Sequence, residues 1–238
     1  MGENTRGTPG GKAFGRRPAE ADLAEQAGGE AANPKRLVAR GYDQIALRYA
    51  AWHVAGNPAM RFVRDLDGRL RDGADVLELG CGRGVPVTRE LAKRHRVTGV
   101  DISAAQVELA RHHVPEASFI HADYTDLDIA AGSIDAVVAI FTFTHVPREE
   151  HAELLTRIAE WLRDGGYLLA TFGTGDDPGS VDPDWLGAPM FFSSFDADTN
   201  RGLVRDAGFR VEVEDVIEQD EDEHGLVAFL WVLARKPE

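Results

Sequence analysis

Cysteine, basic residues and long apolar runs are all scarce in this sequence. Cys81 is the one cysteine among 238 residues, so an intrachain disulfide is excluded. Asp and Glu number 40 against 26 Lys and Arg, and the formal net charge of −14 argues against a nucleic-acid partner, because phosphate binding depends on basic patches. No apolar run resembles a membrane span or a secretory signal, so we expect a cytoplasmic protein with no membrane partner.

A hydrophobic content of 43% in a chain of this length suffices for one α/β domain. Residues 1–34 contain few large apolar side chains and are predicted to form a flexible tail. Apolar residues then recur at helical spacing in two segments, so residues 35–72 are predicted to form two helices. Residues 73–238 are predicted to form the main domain, in which successive strand and helix patterns indicate a doubly wound sheet.

The most informative stretch, residues 76–84, is a short apolar run that leads into a turn with alternating glycines, Gly80, Gly82 and Gly84. A buried parallel strand that enters such a turn ahead of a helix forms a cradle for a nucleotide-type ligand. Glycines let the ligand lie directly against the main chain.

Two departures from a dinucleotide-binding turn indicate a different ligand. Val85 takes the place of the third glycine of the Gly-x-Gly-x-x-Gly fingerprint. Glu78, two residues ahead of Gly80, suits a cationic ligand better than a pyrophosphate. A second carboxylate, Asp101, ends the next predicted strand, where an acid can accept hydrogen bonds from ribose hydroxyls.

The spacing Glu-x-Gly-x-Gly-x-Gly followed by Asp101 resembles the first motifs of class I S-adenosylmethionine-dependent methyltransferases. The resemblance covers residues 35–236 and is closest to the actinobacterial small-molecule, natural-product branch, through stretches within residues 185–191, 195–200 and 229–234. It implies a Rossmann-like, mostly parallel sheet of seven strands in the order 3-2-1-4-5-7-6. An antiparallel C-terminal hairpin and an N-terminal helical lid over residues 35–72 complete this expected fold.

The same resemblance implies S-adenosyl-L-methionine as cofactor, with S-adenosyl-L-homocysteine as product. Asp101 would bind the ribose and Asp123 the adenine amino group; the alternatives are that Asp101 only caps the following helix and that Asp123 only ends a strand. Tyr42 and Tyr49 would belong to the lid, or else be ordinary helix-face aromatics. The cofactor candidates are Tyr42, Tyr49, Glu78, Gly80, Cys81, Gly82, Gly84, Asp101, Ile102, Ala122, Asp123, Tyr124, Ile140 and Phe141.

His145 follows the predicted central strand and is the candidate catalytic base, because an imidazole with an ordinary pKa suits proton removal at neutral pH. A structural histidine is the alternative. Residues 173–195 read as a long loop whose aromatics either wall an acceptor site or plug the end of the core. The acceptor candidates are Trp52, His53, His145, Trp185, Met190, Phe191 and Phe192.

The predicted activity is methyl transfer to a small organic acceptor, with oxygen or nitrogen favoured, by in-line displacement. The chain would act as a monomer or homodimer in specialised metabolism. No metal site is predicted, since the acidic turn at residues 219–224 lacks the ligand spacing of a calcium loop. Two alternatives stay open: a regulatory protein that binds S-adenosylmethionine without turnover, and a nicotinamide-dependent oxidoreductase, which Val85 and the terminal hairpin disfavour.

Overall fold

The computed structural model describes residues 33–51, 58–221 and 225–238. Residues 1–32 of the predicted tail, the candidates Trp52 and His53, and residues 222–224 of the acidic turn lie outside this described part. Its helices are α1 (Pro34–Ala51), α2 (Ala59–Arg69), α3 (Val87–Leu91), α4 (Ala104–His113), α5 (His151–Trp161) and α6 (Ala197–Asp206). None of these helices has both the length and the apolar character that a membrane span requires.

Seven strands form one sheet in the order β3-β2-β1-β4-β5-β9-β8. The strands are β1 (Asp75–Leu79), β2 (Arg96–Asp101), β3 (Ser118–His121), β4 (Ile134–Ala139), β5 (Leu162–Gly173), β8 (Arg210–Asp220) and β9 (Leu226–Arg235). The first five strands pair in parallel, and β9 runs antiparallel to both β5 and β8. This confirms the predicted order, with β8 and β9 as its sixth and seventh strands.

Helices cover both faces of the sheet, because its central strands are apolar on both sides. On one face α5 and α6 bury side chains such as Leu155 and Val204 against β4 and β5. On the other face α2 and α3 pack on β1 and β9, where the Phe62 and Trp231 rings stack with centroids 4.8 Å apart. With both faces covered, the carboxyl edge of the parallel strands is the place left for a ligand.

The position of helix α2 differs from the predicted lid. Residues 35–72 were expected to cover the ligand as a pair of helices, but the apolar face of α2 belongs to the main core beneath the sheet. The reason lies in its side chains, since Phe62, Val63 and Leu66 are almost wholly buried against strands rather than over the carboxyl edge. Of the two helices, α1 alone packs beside that edge.

Residues 173–195, predicted to be a loop, contain a β-hairpin instead. Strands β6 (Asp177–Trp185) and β7 (Ala188–Ser194) pair as a separate antiparallel sheet. The turn between them has two residues, Leu186 and Gly187, both with positive φ (52° and 96°), which matches the twist of a hairpin. The Gly, Asp and Pro content led to the prediction of a loop. Proline is nevertheless tolerated in β6, because β6 is an edge strand that pairs on one side only.

Helix α1 and the hairpin β6–β7 together form a unit that we name the cap. Val38 and Ile45 of α1 pack with Trp185 and Met190 of the hairpin in an apolar cluster of their own. A glycine makes this close approach possible, because a Cβ on Gly41 would stand 2.8 Å from both Met190 Cε and the Pro189 carbonyl oxygen. The cap is therefore packed internally as tightly as a core.

This close approach predicts an unusual response to Gly41→Ala. Alanine in place of an exposed helical glycine normally stabilises a protein by about 0.5–1 kcal/mol. At Gly41 we expect a loss of about 1–3 kcal/mol instead, because the new methyl group has no room. Thermal or urea denaturation measures the difference. Gly68→Ala in α2 is the matched control, since nothing lies within 4 Å of its Cβ position, and stabilisation by both variants would contradict the packing described here.

Candidate cofactor and acceptor site

The glycine turn after β1 lies directly against the end of β4. Gly80, Gly82 and Gly84 all adopt positive φ angles, of 67°, 53° and 77°. A Cβ on Gly80 would stand 2.5 Å from Thr142 Oγ1, and that hydroxyl donates to the Leu79 carbonyl at 2.9 Å. The turn thus presents bare main chain at the carboxyl edge of the sheet, as the sequence predicts.

Asp101, at the end of β2, connects this turn to helix α4. Its Oδ2 accepts a hydrogen bond from the Gly82 amide at 2.8 Å, and its Oδ1 accepts one from the Ser103 amide at 2.9 Å. Burial raises the pKa of Asp101 to about 6, although both amide bonds act in the opposite direction. The helix cap proper is Ser103, whose hydroxyl accepts from the Gln106 amide at 3.2 Å. A carboxylate with two amide partners keeps lone pairs for two further donors, such as vicinal hydroxyls.

Gln106 is a residue that the sequence analysis missed. Its side chain is 1% exposed, yet neither its Oε1 nor its Nε2 has a hydrogen-bond partner. A Cβ built on Gly82 would stand 3.9 Å from the Gln106 Oε1. A buried amide group without partners costs about 1–3 kcal/mol, so the arrangement fits a polar ligand that supplies them beside Gly82.

Glu78 carries the other carboxylate at the turn. Its side chain is buried and accepts a hydrogen bond from the Thr88 hydroxyl of α3. Burial raises its pKa to about 8, against the opposing effect of the Thr88 hydrogen bond, and the charge of Asp101 adds to the rise. No basic side chain among the described residues forms an ion pair with Glu78. A cationic ligand beside it would favour the charged form.

Asp123 follows β3 and is tied to the first turn of the cap. Its Oδ1 accepts from the Thr125 amide at 2.9 Å and the Thr125 hydroxyl at 2.7 Å. Its Oδ2 lies 3.3 Å from the Lys35 ammonium, which also pairs with Glu150. Asp123 therefore lies just beyond the strand and anchors α1 at this edge.

A cavity lies under α1, between the cap and the ends of β2, β3 and β4. It is bordered by three predicted cofactor residues from adjacent loops, Ile102, Asp123 and Tyr124, and the Tyr124 hydroxyl donates to the Thr142 carbonyl at 3.4 Å. The other residues around it are Lys35, Val38, His145 and Val146. The structure thus brings the predicted adenine-side candidates and His145 to one place.

Five rings from the cap and the end of β4 converge beside this cavity, and we name them the aromatic cluster. The centroid of Tyr42 lies 5.2 Å from that of Tyr49, 5.3 Å from that of His145 and 5.7 Å from that of Trp185. Phe192 lies 5.0 Å from His145 and 5.7 Å from Trp185. Edge-to-face contacts of this kind stabilise each pair by about 0.5–1.5 kcal/mol beyond burial.

The hydrogen bonds of His145 define its protonation. Nδ1 lies 2.9 Å from the Phe191 carbonyl, which can only accept, so Nδ1 carries the proton. Nε2 lies 2.8 Å from the Tyr42 hydroxyl, which therefore donates to it. Burial lowers the pKa of His145 to about 4, against the opposing effect of the Phe191 hydrogen bond. The imidazole is thus neutral at pH 7, with its Nε2 lone pair directed into the aromatic cluster. Burial corrects one premise of the sequence analysis, because in this state His145 is a weaker base than an imidazole of ordinary pKa.

Several predicted residues contribute main chain rather than side chain to this edge. The Cys81 thiol is buried against α4 and β3, and burial raises its pKa. The Phe141 ring packs on Phe229 and Trp231 in the core. Ala122 donates its amide to the Asp101 carbonyl at 3.0 Å, and the Ile140 carbonyl accepts from the Thr142 hydroxyl at 3.0 Å. Met190 is wholly buried under α1, and Phe191 is nearly so.

The sequence analysis also missed two charged residues of α1, Lys35 and Asp43. The Asp43 carboxylate accepts from the Ser103 hydroxyl at 2.6 Å and the Ala105 amide at 3.1 Å, so it docks the cap on the start of α4. No local pattern reveals a bond between residues 60 positions apart. Gln106 carried a weak signal, a polar residue on the buried face of a helix. Among the described residues no group of three or more His, Cys, Asp or Glu side chains could hold a metal.

The raised pKa of Glu78 predicts a pH-dependent stability. Because its folded-state pKa of about 8 lies above its ordinary value of 4.5, the folded state keeps a proton that the unfolded chain loses. Its contribution to stability is therefore greatest at low pH and declines as the pH rises through about 5 to 8. Glu78→Gln should remove this decline and stabilise the ligand-free protein by a few kcal/mol near pH 8. Urea denaturation across this pH range measures the effect, with the exposed Glu108→Gln as control. If Glu78 were already ionised in the folded protein, the free energy of unfolding would depend on pH equally in Glu78→Gln and in the wild type.

Comparison with known proteins identifies the central part of the chain. Residues 76–166 match the model of a methyltransferase domain family. An O-methyltransferase of Penicillium expansum is 33% identical over 171 residues, which cover 66% of this chain and 61% of that protein. The chain thus matches less than two thirds of that relative's length.

Solved structures with low sequence identity share the fold. The 1,6-didemethyltoxoflavin-N1-methyltransferase of Burkholderia thailandensis, solved with 1,6-didemethyltoxoflavin and S-adenosylhomocysteine, matches with a TM-score of 0.64 and 20% identity over 95% of this chain and 94% of that one. The [4+2]-cyclase SpnF matches with a TM-score of 0.66 and 18% identity over 84% and 94%. The sheet order, the terminal hairpin and these neighbours show the Rossmann-like methyltransferase fold.

Proposed function

We propose that this chain, with a methyltransferase fold and a methyltransferase-domain match over residues 76–166, transfers the methyl group of S-adenosylmethionine to a small organic acceptor. The observation that carries the proposal is the Asp101 carboxylate bonded to the Gly82 amide at the carboxyl edge of the sheet. At this place an acid, an exposed main chain and the start of α4 lie together, and a nucleoside would bind there. The methyltransferase-domain match also favours this reaction over the nicotinamide alternative.

The described residues fit the parts of the cofactor. At Gly82 the nearest atom to a Cβ position is the Gln106 Oε1 at 3.9 Å, so the main chain is open to a ligand there. Asp101 has unused lone pairs and Gln106 has two unpaired amide atoms for the ribose hydroxyls. Asp123 and Tyr124 follow β3 at the same edge, and we assign the adenine to their side of the site. Glu78 offers a carboxylate to a cationic group. When bound, the cofactor supplies a methyl group already activated by the positive charge on its sulfur.

We assign the role of base to His145. Its neutral Nε2 can accept a proton from an acceptor hydroxyl or amine, and the Phe191 carbonyl holds the ring in the required tautomer. Tyr42 donates to this atom in the structure. An acceptor that gives its proton to Nε2 therefore has to replace the Tyr42 hydroxyl. The remaining contribution is positioning, since an in-line displacement needs the acceptor atom, the methyl carbon and the sulfur to be aligned.

We further propose oxygen or nitrogen as the methylated atom and a role in specialised metabolism, as in the natural-product branch that the sequence resembles. The O-methyltransferase of Penicillium expansum and the N1-methyltransferase of Burkholderia thailandensis support this range of acceptors. The hairpin β6–β7 supports a small acceptor, because it and α1 enclose the aromatic cluster from two sides.

Cofactor binding without methyl transfer is the second candidate function. A cyclase has the same fold, so the fold alone does not define the reaction. The formation of S-adenosylhomocysteine separates the two candidates. Binding without this product, across phenols, amines and carboxylates, would favour the second.

Asp101→Ala tests the cofactor site. Loss of a buried charged acceptor costs about 1.5–3 kcal/mol, so we expect the dissociation constant for S-adenosylhomocysteine to rise about tenfold or more. Isothermal titration calorimetry gives the constant, and Asp101→Asn serves if the alanine variant does not fold. Glu108→Gln, on the exposed face of α4, is the control and should bind normally. An unchanged constant would remove Asp101 from the site.

His145→Ala tests the base. Removal of a general base should lower kcat by about 100-fold or more, whereas the affinity for S-adenosylhomocysteine should change little. His112→Ala, on the surface of α4, controls for the loss of a histidine elsewhere. Parallel losses in kcat and affinity would instead identify His145 as a structural residue that supports the end of β4.

A further inference from the structure

The contact between Tyr42 and His145 indicates the kind of acceptor as well as the position of a base. Among the described residues, the donor that faces the Nε2 lone pair of His145 is the phenol group of Tyr42. The Tyr42 hydroxyl lies 2.8 Å from Nε2, while its ring meets His145 at 89° and Trp185 at 73°. The aromatic cluster thus already holds one aromatic hydroxyl in a geometry suited to proton removal.

We infer that the acceptor is an uncharged planar aromatic molecule that presents a phenolic hydroxyl to His145 in the place now taken by Tyr42. This inference rests on the proposed function and specifies its acceptor. Tyr42 would act as a placeholder, and movement of α1 would exchange its hydroxyl for that of the acceptor.

The side chains around this place favour rings over charges. The cap's apolar cluster is built from aliphatic and aromatic residues, including Tyr42, Tyr49, Trp185 and Phe192. An aromatic ring among them gains about 0.5–1.5 kcal/mol for each edge-to-face or offset contact. A buried carboxylate or phosphate needs a cationic partner and is disfavoured by several kcal/mol without one.

The charged side chains of the neighbouring helix α1 are directed elsewhere. The Lys35 ammonium pairs with Asp123 and Glu150. The Asp43 carboxylate accepts hydrogen bonds from Ser103 and Ala105. The Arg48 guanidinium lies against Gly187 at the hairpin turn. These three groups therefore have partners of their own. Lys35 borders the same cavity as His145, but its ammonium is already paired with two carboxylates.

A cationic acceptor is disfavoured for a different reason. Tyrosine and tryptophan faces can bind an ammonium group. The methyl donor, however, already brings one positive charge to the same place, and two like charges at close range repel each other in a buried site. An uncharged acceptor avoids this repulsion.

The transfer balances with the groups named here. The phenolic proton passes to His145 Nε2, an oxygen lone pair forms the new O–CH3 bond, and the electron pair of the broken S–CH3 bond stays on sulfur. The positive charge therefore leaves the sulfur and appears on the imidazolium, which later returns its proton to solvent. Neutral His145, with Nδ1 held by the Phe191 carbonyl, is in the required starting state.

Binding to the wild-type chain tests the inference with three probes of equal ring size. 2-Naphthol and 2-naphthoate are titrated into the chain saturated with S-adenosylhomocysteine, and 2-naphthylmethylammonium into the chain saturated with S-adenosylmethionine, whose sulfonium supplies the repelling charge. We expect 2-naphthol to bind about tenfold or more tightly than either charged probe. Titration calorimetry measures the ratios. Equal or tighter binding of a charged probe overturns the inference, as does failure of all three probes while S-adenosylhomocysteine binds.

Variants and product analysis connect this preference to the named residues. His145→Phe keeps a ring but removes Nε2, so the advantage of 2-naphthol over naphthalene should disappear. Val181→Ala, at an exposed position of β6, should leave that advantage intact. The wild-type chain with S-adenosylmethionine should convert 2-naphthol to its methyl ether. If 2-naphthol still bound more tightly than naphthalene to His145→Phe, the inference would be overturned. If the wild-type chain did not bind S-adenosylhomocysteine at all, the proposed function itself would be overturned.

Discussion

The carboxylate of Asp101 holds together segments that lie far apart in the sequence. It accepts amide hydrogen bonds from Gly82 in the turn after β1 and from Ser103 at the start of α4, while its own carbonyl accepts from Ala122 after β3. Three strand ends are thereby fixed at one residue. Its pKa of about 6 shows that the amides only partly offset the cost of burial. Any ligand that binds at this edge meets a main chain already arranged by this contact.

The cap closes the same edge from the other side and has a different physical character. Its apolar cluster of α1 and hairpin residues is separate from the two clusters that bury the faces of the sheet. Polar bonds fasten α1 to the domain through Lys35, Asp43 and Tyr42. The hairpin is fastened through the Phe191 carbonyl, which accepts from His145, and the Ser193 hydroxyl, which donates to the Val146 carbonyl. An apolar unit attached by a few polar contacts can separate from the domain without disrupting the main core. This arrangement suits the proposed function, which requires the site to admit both a cofactor and an acceptor.

Two buried groups at the site are arranged at a cost to stability. Glu78 is buried with a hydroxyl as its partner, and Gln106 is buried with both amide atoms unpaired. In the ligand-free protein each group lowers stability, and a cationic nucleoside would supply the missing interactions. Polar groups that are unsatisfied without a ligand are common features of binding sites, which explains why such residues survive inside an otherwise well-packed fold.

The resemblance to methyltransferases implied the strand order and the antiparallel terminal strand, which the sheet confirms. Local periodicity and the connection rules of parallel sheets indicated the doubly wound sheet and the positions of Asp101 and Asp123 at strand ends. The same patterns misread residues 173–195 as a loop, since three prolines and several aspartates concealed the pairing of β6 with β7. They also placed Cys81 and Phe141 at the site, where the structure shows their main chains at the edge and their side chains in the core.

The sequence by itself thus determined the class of fold, the glycine turn and the acids that follow the strands, because hydrophobic spacing and backbone conformation are encoded within a few neighbouring residues. The tertiary structure alone decided that α1 packs on a hairpin more than a hundred positions away, that Asp43 accepts from the Ala105 amide at the start of α4, and that Tyr42 donates to His145. The two hydrogen bonds join residues 62 and 103 positions apart. Side-chain complementarity at such separations leaves no periodic trace in a single sequence.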